Sequence, residues 1–211
     1  VRAGQPIGEP GGFVSAAVHA PISGKVTAVL PHLHPAMPTL VPSVVIETPE
    51  GESPDGVSWP AASDWSALTV DDLRARIRDA GVVGLGGAAF PTHVKLTPPK
   101  EKRIDALILN GVECEPFLTA DHRLMLEQAD AVIGGARILM KILGLPKAYL
   151  GVEKNKPDAI ALMSGRCRSA GAPVEVVPLK VKYPQGAEKQ LIKAILDREV
   201  PSGGLPFDVG A

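Results

Sequence analysis

Hydrophobic and polar positions follow three different rhythms along the chain. Residues 1–46 hold short period-two runs such as GKVTAVL, separated by Gly and Pro, the pattern of strands joined by turns. They predict a small β module. Residues 47–66, which include ETPEGESPDGVSWPAASDW, are so dense in Pro, Gly, Ser and acids that no regular element can pack there, and they read as a linker. From residue 67 to 211 amphipathic helical spacing alternates with short apolar runs. Thr69 and Asp72 make a capping-box-like start to TVDDLRARIRDAG, with acids in the first turn and Gly81 at the stop. A strand is predicted at IDALILN, then a long helix from about Asp121 to Leu143. The strand KAYLGVE, a helix over 156–169, the strand VEVVPLKV and a helix over 187–197 follow.

Strands separated by amphipathic helices imply right-handed crossovers, and so an α/β domain whose mostly parallel sheet carries helices on both faces. Ligands of such sheets collect outside the carboxyl ends of the strands. Asn110 and the residues after it lie at one of those ends.

The 211 residues are enough for one main domain with a smaller appendage. A net charge of −1 leaves no whole-chain field to gather nucleic acid or an anionic membrane, so any charged ligand must be held by local groups. The most apolar helical window, AVIGGARILMKILG, is interrupted by Arg137 and Lys141, so no membrane span is expected. Cys114 and Cys167 are too far apart in sequence for a zinc or iron–sulfur motif, and a reducing compartment is the simpler reading. The chain starts at Val1 and ends at PFDVGA, as expected of a piece of a longer protein.

Two stretches carry candidate chemistry. In GLGGAAFPTHVKL, residues 84–96, the GxGxxA spacing follows a helix rather than a strand, so it fails the context of a dinucleotide loop. Its closely spaced glycines still let backbone amides approach a phosphate or a ring, and Lys95 supplies a compact cation. A plain tight connector is the bland reading. In NGVECEP, residues 110–116, Glu113 and Glu115 share a face if the segment is extended, with Cys114 pointing away. Flanking carboxylates raise a thiol's pKa, which makes Cys114 a poor nucleophile. The paired glutamates suit acid/base work, a metal shared with Asp121 or His122, or hydrogen bonds to a ligand; solvated loop acids are the bland alternative. His32 and His34 in PHLHP read as an exposed β turn, His93 as a surface histidine, and Cys167, beside Met163, as packing.

Taken together, VVGLGGAAFPTHVKL, LILNGVECEPFLTADHRLMLE and VKYPQGAEKQLI resemble the RnfC (RsxC) component of the Rnf electron transport complex, and more distantly the flavin- and NADH-binding subunit of respiratory complex I. The resemblance implies an FMN-binding α/β domain like that of complex I. It also implies NAD(H) as a second cofactor, 4Fe-4S clusters only beyond Ala211, and no catalytic side chain or metal in this chain. Gly84, Gly86 and Gly87 would line the flavin, and Lys95 would reach toward its phosphate. Asn110 and Glu113 match FMN-bonding residues, Phe90 and Glu115 match residues facing the dinucleotide, and Tyr183, Gly186 and Glu188 match a second flavin and nucleotide loop. Leu85 stands where the complex I relative has arginine, Ala89 where it has glycine, and Ala187 where it has an acid, departures that weigh more on the nucleotide than on the flavin.

The resemblance further implies electron input from NADH, through hydride transfer, to iron–sulfur centres. The setting would be a peripheral subunit on the cytoplasmic side of an ion-translocating membrane complex, with the other Rnf subunits and ferredoxin or a similar carrier as partners. VRAGQPIG with VHAPISGKVTAV resembles a biotinyl or lipoyl barrel-sandwich half without its carrier lysine. The rival functional readings are a non-catalytic docking module and a metal-dependent hydrolase using Glu113, Glu115 and His122.

Overall fold

A computed structural model describes residues 1–35, 37–49, 64–85 and 89–211. Most of the expected linker, together with Gly86 and Gly87, lies outside the described residues. The chain divides into two compact units, Val1–Lys95 and Leu96–Ala211.

The first unit contains two antiparallel ribbons, β1 (Pro6–Gly8) with β2 (Val18–His19) and β3 (Lys25–Leu33) with β4 (Leu40–Glu47). The expected capping box forms at Thr69: its hydroxyl accepts the Asp72 amide at 3.1 Å, and the Asp72 carboxylate accepts the Thr69 amide at 3.1 Å. Two orphan donors of helix α1 (Val70–Asp79) are thereby satisfied. Gly81 turns the chain at φ +66°, and a Cβ there would sit 2.2 Å from the Ala17 carbonyl oxygen, so only glycine fits. Short helix α2 covers Thr92–Lys95. His93 on it is not the surface residue the sequence predicts. It is 6% exposed, meets the Phe13 ring edge-on at 5.9 Å and donates from Nε2 to the Phe13 carbonyl at 3.0 Å.

The second unit is a parallel sheet in the order β5 (Ile108–Asn110), β6 (Ala148–Glu153), β7 (Val174–Leu179). Helices α3 (Ala120–Glu127) and α4 (Ala129–Leu143) link β5 to β6, and α5 (Pro157–Ser169) links β6 to β7. The period-two alternation of β6 decides what covers each face. Ala148, Leu150 and Val152 join Ile133, Ala136 and Met140 of α4 and Ala159, Met163 and Cys167 of α5 in one core. On the opposite face α6 (Glu188–Leu196) packs so closely over Gly151 that a Cβ there would lie 3.0 Å from a Leu191 methyl. Helices therefore cover both faces, as the sequence predicts. Each large side chain sealed between these layers contributes about 1.5–3 kcal/mol of hydrophobic stabilisation.

Two element boundaries differ from expectation. The long helix breaks at Gln128 (φ −130°, ψ 35°), although neither Pro nor Gly marks the spot, so periodicity alone runs straight through it. Strand β5 starts at Ile108 rather than Ile104, because the amides of Asp105 and Ala106 both donate to the Gly210 carbonyl instead of a neighbouring strand.

Candidate functional site

The carboxyl ends of β5, β6 and β7 release three loops, and side chains tie these loops to one another. Asn110 ends β5. Its amide nitrogen donates to the Gly186 carbonyl at 2.9 Å, and its amide oxygen accepts the Val112 amide at 3.3 Å. Each half of the amide has further capacity: a second N–H and a second lone pair on an exposed side chain. Gly186 also donates its own amide to Cys114 Sγ at 3.3 Å, and a Cβ at Gly186 would touch Cys114 at 3.4 Å. The thiol is thus a packing and accepting group of the loop junction.

Glu113 is not extended, so the alternating face expected for Glu113 and Glu115 does not form. Its φ is +49°, in the left-handed region that costs a non-glycine residue about 1–2 kcal/mol. What holds it there is its carboxylate, which accepts the amides of Asp121 at 2.6 Å and His122 at 3.1 Å and so caps the amino end of α3. Each oxygen accepts one amide in that task. The same proximity acts on Asp121: partial burial, and then the Glu113 charge, push its carboxyl above the ordinary range despite the Lys156 cation. His122 donates from Nε2 to Asp158 at 2.9 Å, and that bond holds the Asp158 carboxyl low.

Beneath these loops lies a buried ion pair. Glu153 closes β6 at 2% exposure and Lys156 precedes α5 at 6%, with the ammonium 3.8 Å from the carboxylate. The Lys156 ammonium donates to the carbonyls of Val112 (2.9 Å) and Glu113 (3.4 Å), while Glu153 accepts the Lys182 amide at 3.1 Å. Removing two such charges from water costs several kcal/mol per ion, so the pair is a poor stabiliser by itself.

These loops enclose an open cavity of about 360 Å³, within the range of small-molecule sites. Glu113, Glu115, Phe117, Lys182 and Tyr183 are among its lining residues. Phe117 is fully exposed at φ +67°, and Tyr183, ahead of a cis proline bond, is two-thirds exposed. Asn110 instead borders a neighbouring hollow of about 230 Å³ between β5 and the helices α3 and α4. Gly186 joins the two sides through its bonds to Asn110 and Cys114. Glu188 is exposed at the start of α6 and lines neither hollow.

Of the other predicted residues, Gly84, Phe90 and Lys95 belong to the first unit. Gly84 donates to the Phe90 carbonyl at 3.0 Å, and Thr92 to that of Val82 at 3.0 Å, on either side of an isolated antiparallel bridge between Val83 and Pro91. Ala89 takes φ +51°. Sequence reasoning missed Glu153, Lys156 and Gln185. Gln185, 1% exposed, carries a buried side-chain nitrogen without a hydrogen-bond partner among the described residues. The only local signal was the proline in EKNKP, which marks the start of a helix and says nothing of a buried lysine.

Residues 77–211 match the family described as the Nuo51 FMN-binding domain, and residues 1–51 match the RnfC barrel sandwich hybrid domain. The chain is 49% identical over 211 residues to the C subunit of the proton-translocating ferredoxin:NAD+ oxidoreductase complex of Clostridium ljungdahlii, covering all of this chain and 45% of the relative. It is 50% identical over 210 residues to the Na+-translocating counterpart of Acetobacterium woodii, covering 98% and 46%. Identity to the C subunit of the ion-translocating oxidoreductase complex of Pseudomonas aeruginosa is 42% over 215 residues, covering 100% and 27%. The chain thus spans less than half the length of these relatives. Among solved structures, the air-oxidised NAD+-reducing NiFe-hydrogenase shares the fold with a TM-score of 0.52 and 25% identity over 59% of this chain and 23% of that one. The parallel sheet with its carboxyl-end loops, the amino-terminal ribbons and these relatives agree: the chain belongs to the RnfC family, with an α/β domain of the Nuo51 FMN-binding family following a barrel-sandwich hybrid module in sequence.

Proposed function

We propose that the carboxyl-end loops of the second unit hold the ring system of FMN, and that the parent protein takes part in electron exchange between NAD(H) and iron–sulfur centres of an ion-translocating complex. The observation that carries this reading is Asn110: an exposed amide at a strand's carboxyl end, half-used in tying two loops and with one donor and one acceptor left for a ligand. The chemistry of the surrounding residues fits the group. Tyr183 and Phe117 offer aromatic surface, Gln185 holds an unpaired buried donor in the same loop as Gly186, and Lys182 brings a cation to the cavity wall.

When bound, FMN would supply the capacity to take electrons in pairs and pass them on singly. The protein's own residues then bind and orient. Asn110 fixes the hydrogen-bonding edge, Gly186 permits close approach, and Glu113 shapes the wall by anchoring α3. Glu115 and Phe90 are assigned to the nicotinamide dinucleotide, Gly84, Gly86 and Gly87 to close backbone approach, Lys95 to phosphate charge, and Glu188 to the nucleotide side. None of them needs to move a proton.

The same reading places the 4Fe-4S clusters outside this chain and makes the other Rnf subunits and ferredoxin or a similar carrier the partners. It also sets the protein as a peripheral subunit on the cytoplasmic side of the cell membrane; no described helix is long and apolar enough to cross a membrane. The test is direct. Full-length protein reconstituted with FMN should hold a flavin absorbance band that NADH bleaches, and a colourless protein after reconstitution overturns the proposal.

A further inference from the structure

We infer that Glu153 and Lys156 act as a positioning pair that sets the shape of the crevice, an inference that rests on reading this end of the sheet as the flavin pocket. Three facts carry it. The pair is almost wholly buried, yet its ammonium and carboxylate stand 3.8 Å apart, longer than a direct hydrogen bond. Both groups bond backbone from the other two loops: Lys156 holds the carbonyls of Val112 and Glu113 after β5, and Glu153 holds the Lys182 amide after β7. The residue so gripped, Glu113, has a left-handed backbone and is the one whose carboxylate caps α3.

The physical argument is one of cost against return. Two charges withdrawn from water and not in direct contact regain little of their hydration from each other, and apolar residues of similar volume would fill the space more cheaply. The return lies in geometry. A lysine ammonium has three N–H donors that can be aimed separately, so one side chain grips two consecutive carbonyls of a strained turn and still faces a carboxylate. Loosening that grip releases Glu113, and with it the amides of Asp121 and His122 and the part of the cavity lining that Glu113 forms. Neither Glu153 nor Lys156 need touch the flavin in any reactive sense; they act through Glu113 and Lys182.

The experiment compares full-length wild-type protein with Glu153→Gln/Lys156→Gln, which removes both buried charges and leaves a side chain too short for the Val112 carbonyl. Hydrogen exchange on the flavin-free proteins should be at least tenfold faster in peptides spanning residues 119–124 and unchanged in β6 and β7. FMN should bind at least tenfold more weakly, with an altered visible circular dichroism of the bound flavin and a melting temperature for the flavin-free protein no lower than that of Glu113→Ala. Unchanged exchange at 119–124 overturns the inference, and so does faster exchange with unaltered flavin affinity and dichroism. If wild type binds no FMN, the functional reading falls, and the exchange comparison alone decides the clamp. Should the double variant not fold, Glu153→Gln/Lys156→Met keeps the length of the buried side chain without any N–H donor for the two carbonyls, and the same exchange and flavin results are expected of it.

Discussion

Replacing Asn110 by alanine tests the centre of the site. Two hydrogen bonds disappear, the one to the Gly186 carbonyl and the one from the Val112 amide. At about 1 kcal/mol net each, with Val112 0% exposed and its amide left without its acceptor, the loss comes to about 2–3 kcal/mol. For a chain of this size that corresponds to a fall in melting temperature of roughly 4–12 °C. Asn110→Asp separates the two bonds: it keeps the acceptor for Val112 but turns a carboxylate oxygen toward the Gly186 carbonyl, so the 183–187 loop should loosen while Val112 stays paired. Thermal and urea unfolding give the stabilities, and fluorescence-quench titration of FMN with the full-length protein gives the affinities. Both variants should bind FMN roughly tenfold or more weakly, since each 1.4 kcal/mol is a factor of ten. An alanine variant within about 0.5 kcal/mol of wild type and with unchanged FMN affinity would refute the reasoning, because the amide would then support neither the loop junction nor the ligand.

Other expectations follow from the same geometry. Glu113→Ala removes the cap of α3 and should cost about 1 kcal/mol in urea unfolding, with faster amide exchange confined to the first turn of that helix. Asp121 has its carboxyl pKa raised in the folded state, so the folded protein binds protons more tightly there. Stability is therefore lost as pH rises from the unfolded value near 3.8 to the raised one, and Asp121→Asn should flatten urea midpoints across that window. Asp158 works in the opposite sense. Its pKa is held low first by His122 and then by the Ala159 amide, so its contribution is present above the unfolded value and disappears as pH falls through the depressed one, a loss that His122→Ala should reduce in the same titration. Gly81→Ala forces a methyl to within 2.2 Å of the Ala17 carbonyl at positive φ, which should cost well beyond the ~1–2 kcal/mol of backbone strain and show as a lowered melting temperature in circular dichroism.

What the sequence revealed, and what it concealed, divides by the range of the interaction. The capping box at Thr69, the two-faced β6 and the alternation of helix and strand are written in spacings of two to four residues, and all of them form. The break at Gln128, the burial of His93 under Phe13 and the grip of Lys156 on Val112 depend on partners that local pattern cannot name; the last two span 80 and 44 residues. Asn110, Gly186 and Glu113 were legible through the long motifs that hold them, whereas Glu153 and Lys156 sit among charges that any reader of EKNKP would leave in water. The distinction has a mechanical meaning. Parallel strands fix where each loop begins, but the loops are held to one another by side-chain bonds: Asn110 to Gly186, Gly186 to Cys114, Lys156 to Val112, Glu153 to Lys182. The crevice can therefore be reshaped by changing one of these groups while the sheet register stays as it is, so a family that keeps this sheet is free to tune what its carboxyl end holds.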